Sequence, residues 1–207
     1  KPVLIDGNTG TAKTRLLQHL ADQGAQTLDL EALAAHRGSL FGGLSGPQPA
    51  QKMFESRLAA ALIPLDPARP VYLEAESNKI GDLLIPGSLW KAMLAAPRLD
   101  LAAPVAARAA HLIDTYAELT ADPQALSAIL DQLRPYHAAE RIAAWQALAT
   151  QRDFHALCTA LMEAHYDPRY AKSATRKGPG LARYDLPDLS EATLAATAAR
   201  LVAAHGA

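Results

Sequence analysis

Residues Gly7-Asn8-Thr9-Gly10-Thr11-Ala12-Lys13-Thr14 constrain this chain more than any other stretch. They follow a short apolar run, Pro2-Val3-Leu4-Ile5, and precede a helix-like segment, Arg15 to Leu20. Strand, glycine-bearing loop, Lys-Thr and helix is the order that a phosphate-binding P-loop demands. Backbone N–H groups of such a loop converge at a helix N-terminus, where the helix dipole adds its own attraction for an anion. Lys13 is then placed to neutralise outer phosphate oxygens, and Thr14 to offer its hydroxyl to a magnesium ion. The glycine usual before the lysine is replaced by Ala12, so the loop must adopt a conformation that a β-carbon tolerates, with Gly10 supplying some freedom. The alternative is an ordinary strand-to-helix turn that contains Lys-Thr.

The remaining pattern is that of an α/β protein. Gln26 to Leu30 reads as a second strand, Glu31 to His36 as a helical turn or two, and residues 38–49, with four glycines and two prolines, as a loop beside the phosphate site. A helix follows from Ala50 to Leu62. Pro70 to Glu76 is apolar and then acidic, the pattern of a buried strand that delivers a carboxylate towards a metal. Glu74 or Glu76 could face the site, since alternate strand residues share a face; two solvated glutamates are the bland alternative. Lys79 to Gly87 reads as a loop, Ser88 as the cap of a helix from Leu89 to Leu94, and Arg98 to Leu101 as a further strand.

From Pro104 to about His165 the pattern is helical, with about four helices broken at Asp122-Pro123 and Arg134-Pro135. Trp145, Phe154 and Leu157 are core candidates, and Cys158 reads as a buried, inert thiol. Tyr166 to Gly180 reads as a loop in which Lys172, Arg176 and Lys177 lie beside Tyr166, Arg169 and Tyr170. Basic and aromatic residues together suit RNA, although a solvated loop has the same composition. Arg183 to Leu186 reads as a late strand, and Asp188-Leu189-Ser190 as the start of a terminal helix, Glu191 to Ala204. The expected fold is a P-loop NTPase-like, mostly parallel sheet flanked by helices, with an all-α subdomain. Its expected divisions are a core over 1–103, a helical subdomain over 104–165, and a segment over 166–207 that returns to the core.

Composition limits the partners. A formal net charge of −1 over 207 residues supplies no global drive towards nucleic acid, so RNA contact needs a local patch. The single cysteine excludes an internal disulfide and fits the reducing cytoplasm, and no apolar run approaches a membrane span. The seven histidines show no metal spacing, which leaves magnesium as the expected metal. Because Lys1 stands directly before a strand, the chain reads as part of a longer polypeptide.

Several separate stretches resemble the P-loop domain of the tRNA 2-selenouridine synthase family. These are the Gly7–Thr14 loop, the block from Leu28-Asp29-Leu30-Glu31 through His36-Arg37-Gly38-Ser39 to Gly43, Gln48 to Glu55, Leu73-Glu74-Ala75-Glu76-Ser77 with Ile80-Gly81, and His165-Tyr166-Asp167-Pro168-Arg169-Tyr170. The long Leu-Asp-Leu-Glu to Arg-Gly-Ser block is the most specific of them. Departures are Ala12, Ala75 between the two acids, and Asn78-Lys79 where arginine is commoner.

The resemblance implies a transferase that acts on the wobble uridine of tRNAs for Lys, Glu and Gln. There, 2-thiouridine is S-geranylated with geranyl diphosphate, and selenophosphate then replaces the geranylthio group with selenium. It also implies a rhodanese-like domain carrying a catalytic cysteine, which Cys158 does not match in position. Lys13, Thr14 and the backbone of Gly7 to Ala12 are expected to hold diphosphate or selenophosphate, with ATP or GTP possible but not required. Glu74 or Glu76 is expected at the metal; Arg37, with Ser39 nearby, and Arg108 are candidates to complete the anion site or else form surface ion pairs. A P-loop small-molecule kinase and a nucleotide-binding interaction module are the competing functions.

Overall fold

The strand β1 (Pro2–Gly7) leads directly into the phosphate-loop sequence and occupies the middle of the sheet. The structure, a computed structural model, describes residues 1–38, 41, 46–174 and 180–205, with side chains for all of these except 172–174, 180–181 and 205. After β1 come α1 (Lys13–Asp22), β2 (Gln26–Leu28), α2 (Leu30–Ala34), α3 (Gln51–Leu62) and β3 (Val71–Glu74). A small hairpin of β4 (Lys79–Ile80) and β5 (Leu83–Leu84) precedes α4 (Gly87–Ala95) and β6 (Arg98–Ala102). The helices α5 (Val105–Thr115), α6 (Ala117–Thr120), α7 (Pro123–Asp131), α8 (Ala139–Thr150) and α9 (Phe154–Leu161) follow. A π-helical turn, Met162–Tyr166, joins α9 to α10 (Asp167–Ala174), and β7 (Gly180–Asp185) and α11 (Glu191–His205) complete the described elements.

The main sheet is parallel throughout, in the order β2-β3-β1-β6-β7. Parallel strands are buried on both faces, and β1 shows why its sequence is apolar at successive positions. Val3 and Ile5 pack with Leu16, Leu20 and the α11 residues Leu194 and Leu201, whereas Leu4 turns to the opposite face with Phe54, Leu58, Leu73 and Met93. A third apolar cluster lies among α7, α8 and α9, built on Leu126, Leu130, Ile142, Trp145, Leu157 and Leu161. Phe154 packs against it while only partly buried. No helix among the described residues is long and apolar enough to cross a membrane.

Four local expectations change. The stretch from Lys79 to Gly87 contains the β4–β5 hairpin, because Gly81 takes φ +57 at its turn and the Gln48 side chain binds it from outside. Gln48 Nε2 donates to the Ala34 and Ile80 carbonyls, and Asp82 N–H donates to Gln48 Oε1. Helix α4 starts after Pro86 with no side-chain cap, so Ser88 does not cap it. Five α-helices, not four, fill 104–165. The loop expected from Tyr166 begins instead as the π-turn and α10, because its side chains are held against the core. By contrast, Asp188 and Ser190 do cap α11: Ser190 N–H donates to Asp188 Oδ1 and Thr193 N–H to Ser190 Oγ.

The phosphate loop is wedged between β6 and α5. At Gly7 an added Cβ would lie 2.6 Å from the Leu101 carbonyl oxygen. At Gly10, with φ +83, it would lie 3.0 Å from Leu112 Cγ and 3.1 Å from the Arg108 carbonyl oxygen. Gly10→Ala therefore combines an unfavourable φ with crowding against helix backbone and is expected to cost about 2 kcal/mol of unfolding free energy. Urea denaturation measures this directly, and a variant as stable as the parent shows that the loop is not wedged.

Candidate functional site

The C-terminal end of β1 delivers the loop, and the start of α1 receives it. Gly7 N–H donates to Asp6 Oδ1 at 2.8 Å, while Thr11 closes a turn by donating from N–H and Oγ1 to the Asn8 carbonyl. Ala12 takes the left-handed conformation, φ +59 and ψ +35, and its methyl is buried with Leu16 and Leu17. An alanine in that region costs roughly 1 kcal/mol or more, and its buried methyl offsets part of that. The N-terminus of α1 has no side-chain cap, so its first N–H groups are open to an external acceptor. Lys13 Nζ folds back over the loop and donates to the Gly7 carbonyl at 3.1 Å.

A cavity of about 420 Å³ opens over this loop. Thr9 to Thr14 line it, together with Arg15, Arg37 and His111 and with Glu31, Glu74 and Glu76. Arg37 stacks its guanidinium over the Tyr116 ring at 5.3 Å, which holds a cation at the cavity rim. Burial and the neighbouring Arg15 bring His111 down to about 4, so it is neutral in the ordinary range. Ser39 lies outside the described residues.

Both strand-end glutamates reach the site, and a third joins them. Oxygens of Glu31, Glu74 and Glu76 lie within 4.8 Å of one another. Glu74 is 2% exposed at the end of β3, and its Oε1 is enclosed with no hydrogen-bond partner among the described residues. Burial raises its carboxyl to about 7 against the opposing pull of Lys13 and the Thr14 hydroxyl. Burial and the charges of Glu74 and Glu76 carry Glu31 to about 9. Glu76 is raised as well, first by burial, although Lys13 and a proton shared from Glu31 oppose the shift. An orphaned carboxylate oxygen inside a cluster of hard oxygen donors fits a divalent cation such as magnesium.

Glu31 is the residue that sequence reasoning missed. It sits just after the C-terminal end of β2, the edge of a parallel sheet where sites collect, and Asp29 fixes its helix by accepting from Ala32 N–H at 2.8 Å. That position was the available signal. Gly38 confirms the tightness, because a Cβ there would lie 2.5 Å from Glu31 Oε1 and 2.9 Å from Glu76 Oε2.

Arg108 is brought to the loop but not into the cavity. It is 3% exposed, its Nε donates to the Thr9 carbonyl at 2.8 Å, and its two terminal nitrogens grip Asp167 at 2.6 and 2.9 Å. A guanidinium so committed shapes the loop from behind and does not itself meet an anion.

The expected RNA-binding residues divide. Tyr166 has an enclosed hydroxyl, and Tyr170 donates to Asp6 Oδ1 at 2.8 Å and lies 3.2 Å from Asp100 Oδ1. Burial, then the Asp6 charge, pushes the Tyr170 phenol up. Neither presents a free ring for base stacking. Arg169 is exposed, stacks over the exposed Tyr136 ring at 4.1 Å and meets His165 Nε2 at 3.1 Å. Lys172 lies on α10 with its side chain outside the described residues, and Arg176 and Lys177 lie wholly outside them.

A second cavity, of about 60 Å³, adjoins the first and is almost wholly apolar. Leu126, Leu157, Leu161, Met162 and Phe154 line it from the helical side, with Cys158, whose thiol burial pushes up to about 11. Thr9, Leu112, Tyr116 and Tyr166 belong to the walls of both cavities.

Comparison with known proteins bears on this architecture. The tRNA 2-selenouridine synthase AAA domain matches residues 1–183. The tRNA 2-selenouridine synthase of Marinobacter nauticus is 33% identical over 203 residues, covering 84% of this chain and 54% of that protein. The Nitrosomonas europaea protein of the same name is 38% identical over 119 residues, covering 56% of this chain and 31% of that protein. The chain thus spans about half the length, or less, of these curated relatives. Among solved structures, TT1252 from Thermus thermophilus is a distant likeness, with a TM-score of 0.47 and 17% identity across 98% of this chain and 96% of that one. With most of its length matched by the AAA-domain family, and with the loop and strand-end acids in the places described, this chain belongs to the tRNA 2-selenouridine synthase family.

Proposed function

We propose that this chain is the phosphate-handling part of an enzyme that converts wobble 2-thiouridine of tRNAs for Lys, Glu and Gln to 2-selenouridine through an S-geranylated intermediate. The observation that carries this reading is the pair of adjoining cavities, one lined by anion-binding groups and one apolar, with four residues in common. A ligand with an anionic head and a hydrocarbon tail matches the polarity of such a pair, and geranyl diphosphate is one; the apolar cavity of about 60 Å³ takes the first carbons of the chain. The loop N–H groups, Lys13 and Arg37 neutralise the head, which makes diphosphate a competent leaving group. The thiouridine sulfur bonds to the first geranyl carbon as the carbon–oxygen bond breaks, and the electron pair leaves with the diphosphate. Selenophosphate, also an anion, uses the same loop for the second step, and neither step requires ATP or GTP hydrolysis.

Thr14, Glu31, Glu74 and Glu76 are the residues that would hold magnesium, which supplies further neutralisation at the diphosphate when bound. Arg169 on Tyr136 is the surface assigned to tRNA, and Lys172, Arg176 and Lys177 follow it in sequence as further candidates. The cysteine chemistry belongs to a rhodanese-like domain in the same polypeptide, and the site of action is the cytoplasm.

Lys13→Ala is expected to reduce geranyl transfer to 2-thiouridine tRNA by at least roughly 100-fold, read by mass analysis of the nucleosides. The assay is run on this chain and on the chain joined to its rhodanese-like domain. Equal product from parent and variant refutes the role given to the loop.

The glutamates also make a pH signature. Their folded values lie above the ordinary 4.5, so between 4.5 and the raised values the folded state binds more protons than the unfolded one. Stability contributed by the protonated forms is present below 4.5 and is lost as the pH rises through about 7 and then about 9. In chelator, Glu31→Gln is expected to melt above the parent at pH 8, with the gap closing towards pH 5. Magnesium should raise the parent's melting temperature more at pH 8 than at pH 6 and do little for the variant. A parent indifferent to magnesium at both values shows that the cluster holds none.

A further inference from the structure

Tyr166 stands in the wall that the two cavities share. Its ring is fixed on one side by His165, edge-on with centroids 4.9 Å apart, and on another by Phe41 at 6.4 Å. Its hydroxyl is enclosed and has no hydrogen-bond partner among the described residues. A buried phenol normally finds a partner, and one without a partner destabilises the unliganded fold. The backbone beneath it is a π-helical turn, a less stable geometry than the α-helix that persists mostly where it places a side chain for use. Together these features put an unsatisfied donor on one of the four residues that the polar and the apolar cavity share.

We propose that the Tyr166 hydroxyl donates a hydrogen bond to the oxygen that links the first carbon of a prenyl chain to its diphosphate. The inference rests on the amphiphilic-diphosphate reading above and deepens it by naming the group at the reacting bond. With the diphosphate on the loop and the chain among Leu126, Leu157 and Leu161, the carbon–oxygen–phosphorus link falls at the shared wall. When the carbon–oxygen bond breaks, the electron pair goes to that oxygen, the carbon bonds to the acceptor sulfur, and the phenol keeps its proton throughout. A donor already in position strengthens as negative charge develops on the leaving oxygen. The phenol remains protonated because burial, reinforced by the adjacent Tyr116, pushes it well above its usual range. The hydroxyl therefore acts as a donor and not as a base.

Tyr166→Phe removes one oxygen and keeps the ring, so the experiment compares parent and variant by calorimetry and thermal melting on this chain. Three probes are used: geranyl diphosphate, its S-thiolodiphosphate analogue with sulfur at the linking position, and inorganic diphosphate. The variant is expected to bind geranyl diphosphate about tenfold more weakly while binding inorganic diphosphate as the parent does. Parent and variant should bind the sulfur analogue alike, because sulfur is a poor acceptor. Without ligand, the variant should melt at or above the parent, since an unsatisfied hydroxyl has been removed. In geranyl transfer by the chain joined to its rhodanese-like domain, kcat should fall more than KM rises.

Equal binding of geranyl diphosphate by parent and variant overturns the proposal and leaves the amphiphilic reading standing. A weakened response to inorganic diphosphate, or a variant that melts several degrees lower, also overturns it, by showing that the hydroxyl serves the loop or the fold. A parent that binds inorganic diphosphate but not geranyl diphosphate refutes the amphiphilic reading and this proposal with it.

Discussion

The buried guanidinium of Arg108 is the point through which the phosphate loop and the helical region constrain each other. One side chain on α5 holds the Thr9 carbonyl of the loop and both oxygens of Asp167 on α10. Removing an arginine from water is costly unless nearly every donor is paired and its charge is matched, and the bidentate contact with Asp167 does both. One side chain thus ties the loop, α5 and α10 to one another. Gly10 packs on the carbonyl of Arg108 itself, so the same residue limits the loop on two sides. A loop shaped from outside tolerates an irregular sequence. That is why Ala12 can occupy a left-handed conformation that glycine usually fills.

The cavity is lined by charges of both signs. Lys13, Arg15, Arg37 and the open N–H groups of α1 are its electropositive lining, and Glu31, Glu74 and Glu76, close to Lys13, its electronegative lining. Lys13 links the two, since it lowers the carboxyls that burial raises. Three carboxylates held out of water at this separation are unstable when all are ionised, so without a cation they retain protons. An anion bound on the loop would pull Lys13 towards itself and weaken that compensation. An anion and a divalent cation would therefore reinforce each other in this cavity, each relieving the imbalance that the other creates.

What could be read in the chain beforehand follows how local each feature is. The strand-loop-helix unit at Pro2 to Leu20 needs only its own residues, and it forms as its apolar run and glycines require. The acidic end of β3 was legible for the same reason, yet the choice between Glu74 and Glu76 was not needed, because the chain leaves the sheet after Glu74 and both turn inward. Glu31 was not legible as a site residue, since its role depends on β2 lying beside β3 in a parallel register. Arg108 carried a candidate role in sequence because an arginine near a phosphate loop suggests an anion. Its actual partner, Asp167, lies 59 positions away and gives no local sign of the pairing. The β4–β5 hairpin escaped notice because it is two residues per strand and is stabilised by Gln48, which is distant in sequence.

The segment from His165 to Tyr170 shows why composition and position can point in opposite directions. Tyrosines beside basic residues suit nucleic acid when their rings and charges face solvent, but here most of them are used internally. Asp167 anchors Arg108, Tyr170 reaches Asp6 at the foot of the phosphate loop, and Tyr166 closes the wall between the cavities. Arg169 turns outward and carries the Tyr136 ring with it as an exposed stacking pair. The π-turn explains the split, because its extra residue per turn rotates Tyr166 away from the face that a regular helix would give it. The segment thus packs behind the phosphate loop, through Arg108 and Asp6, with one side chain left to solvent.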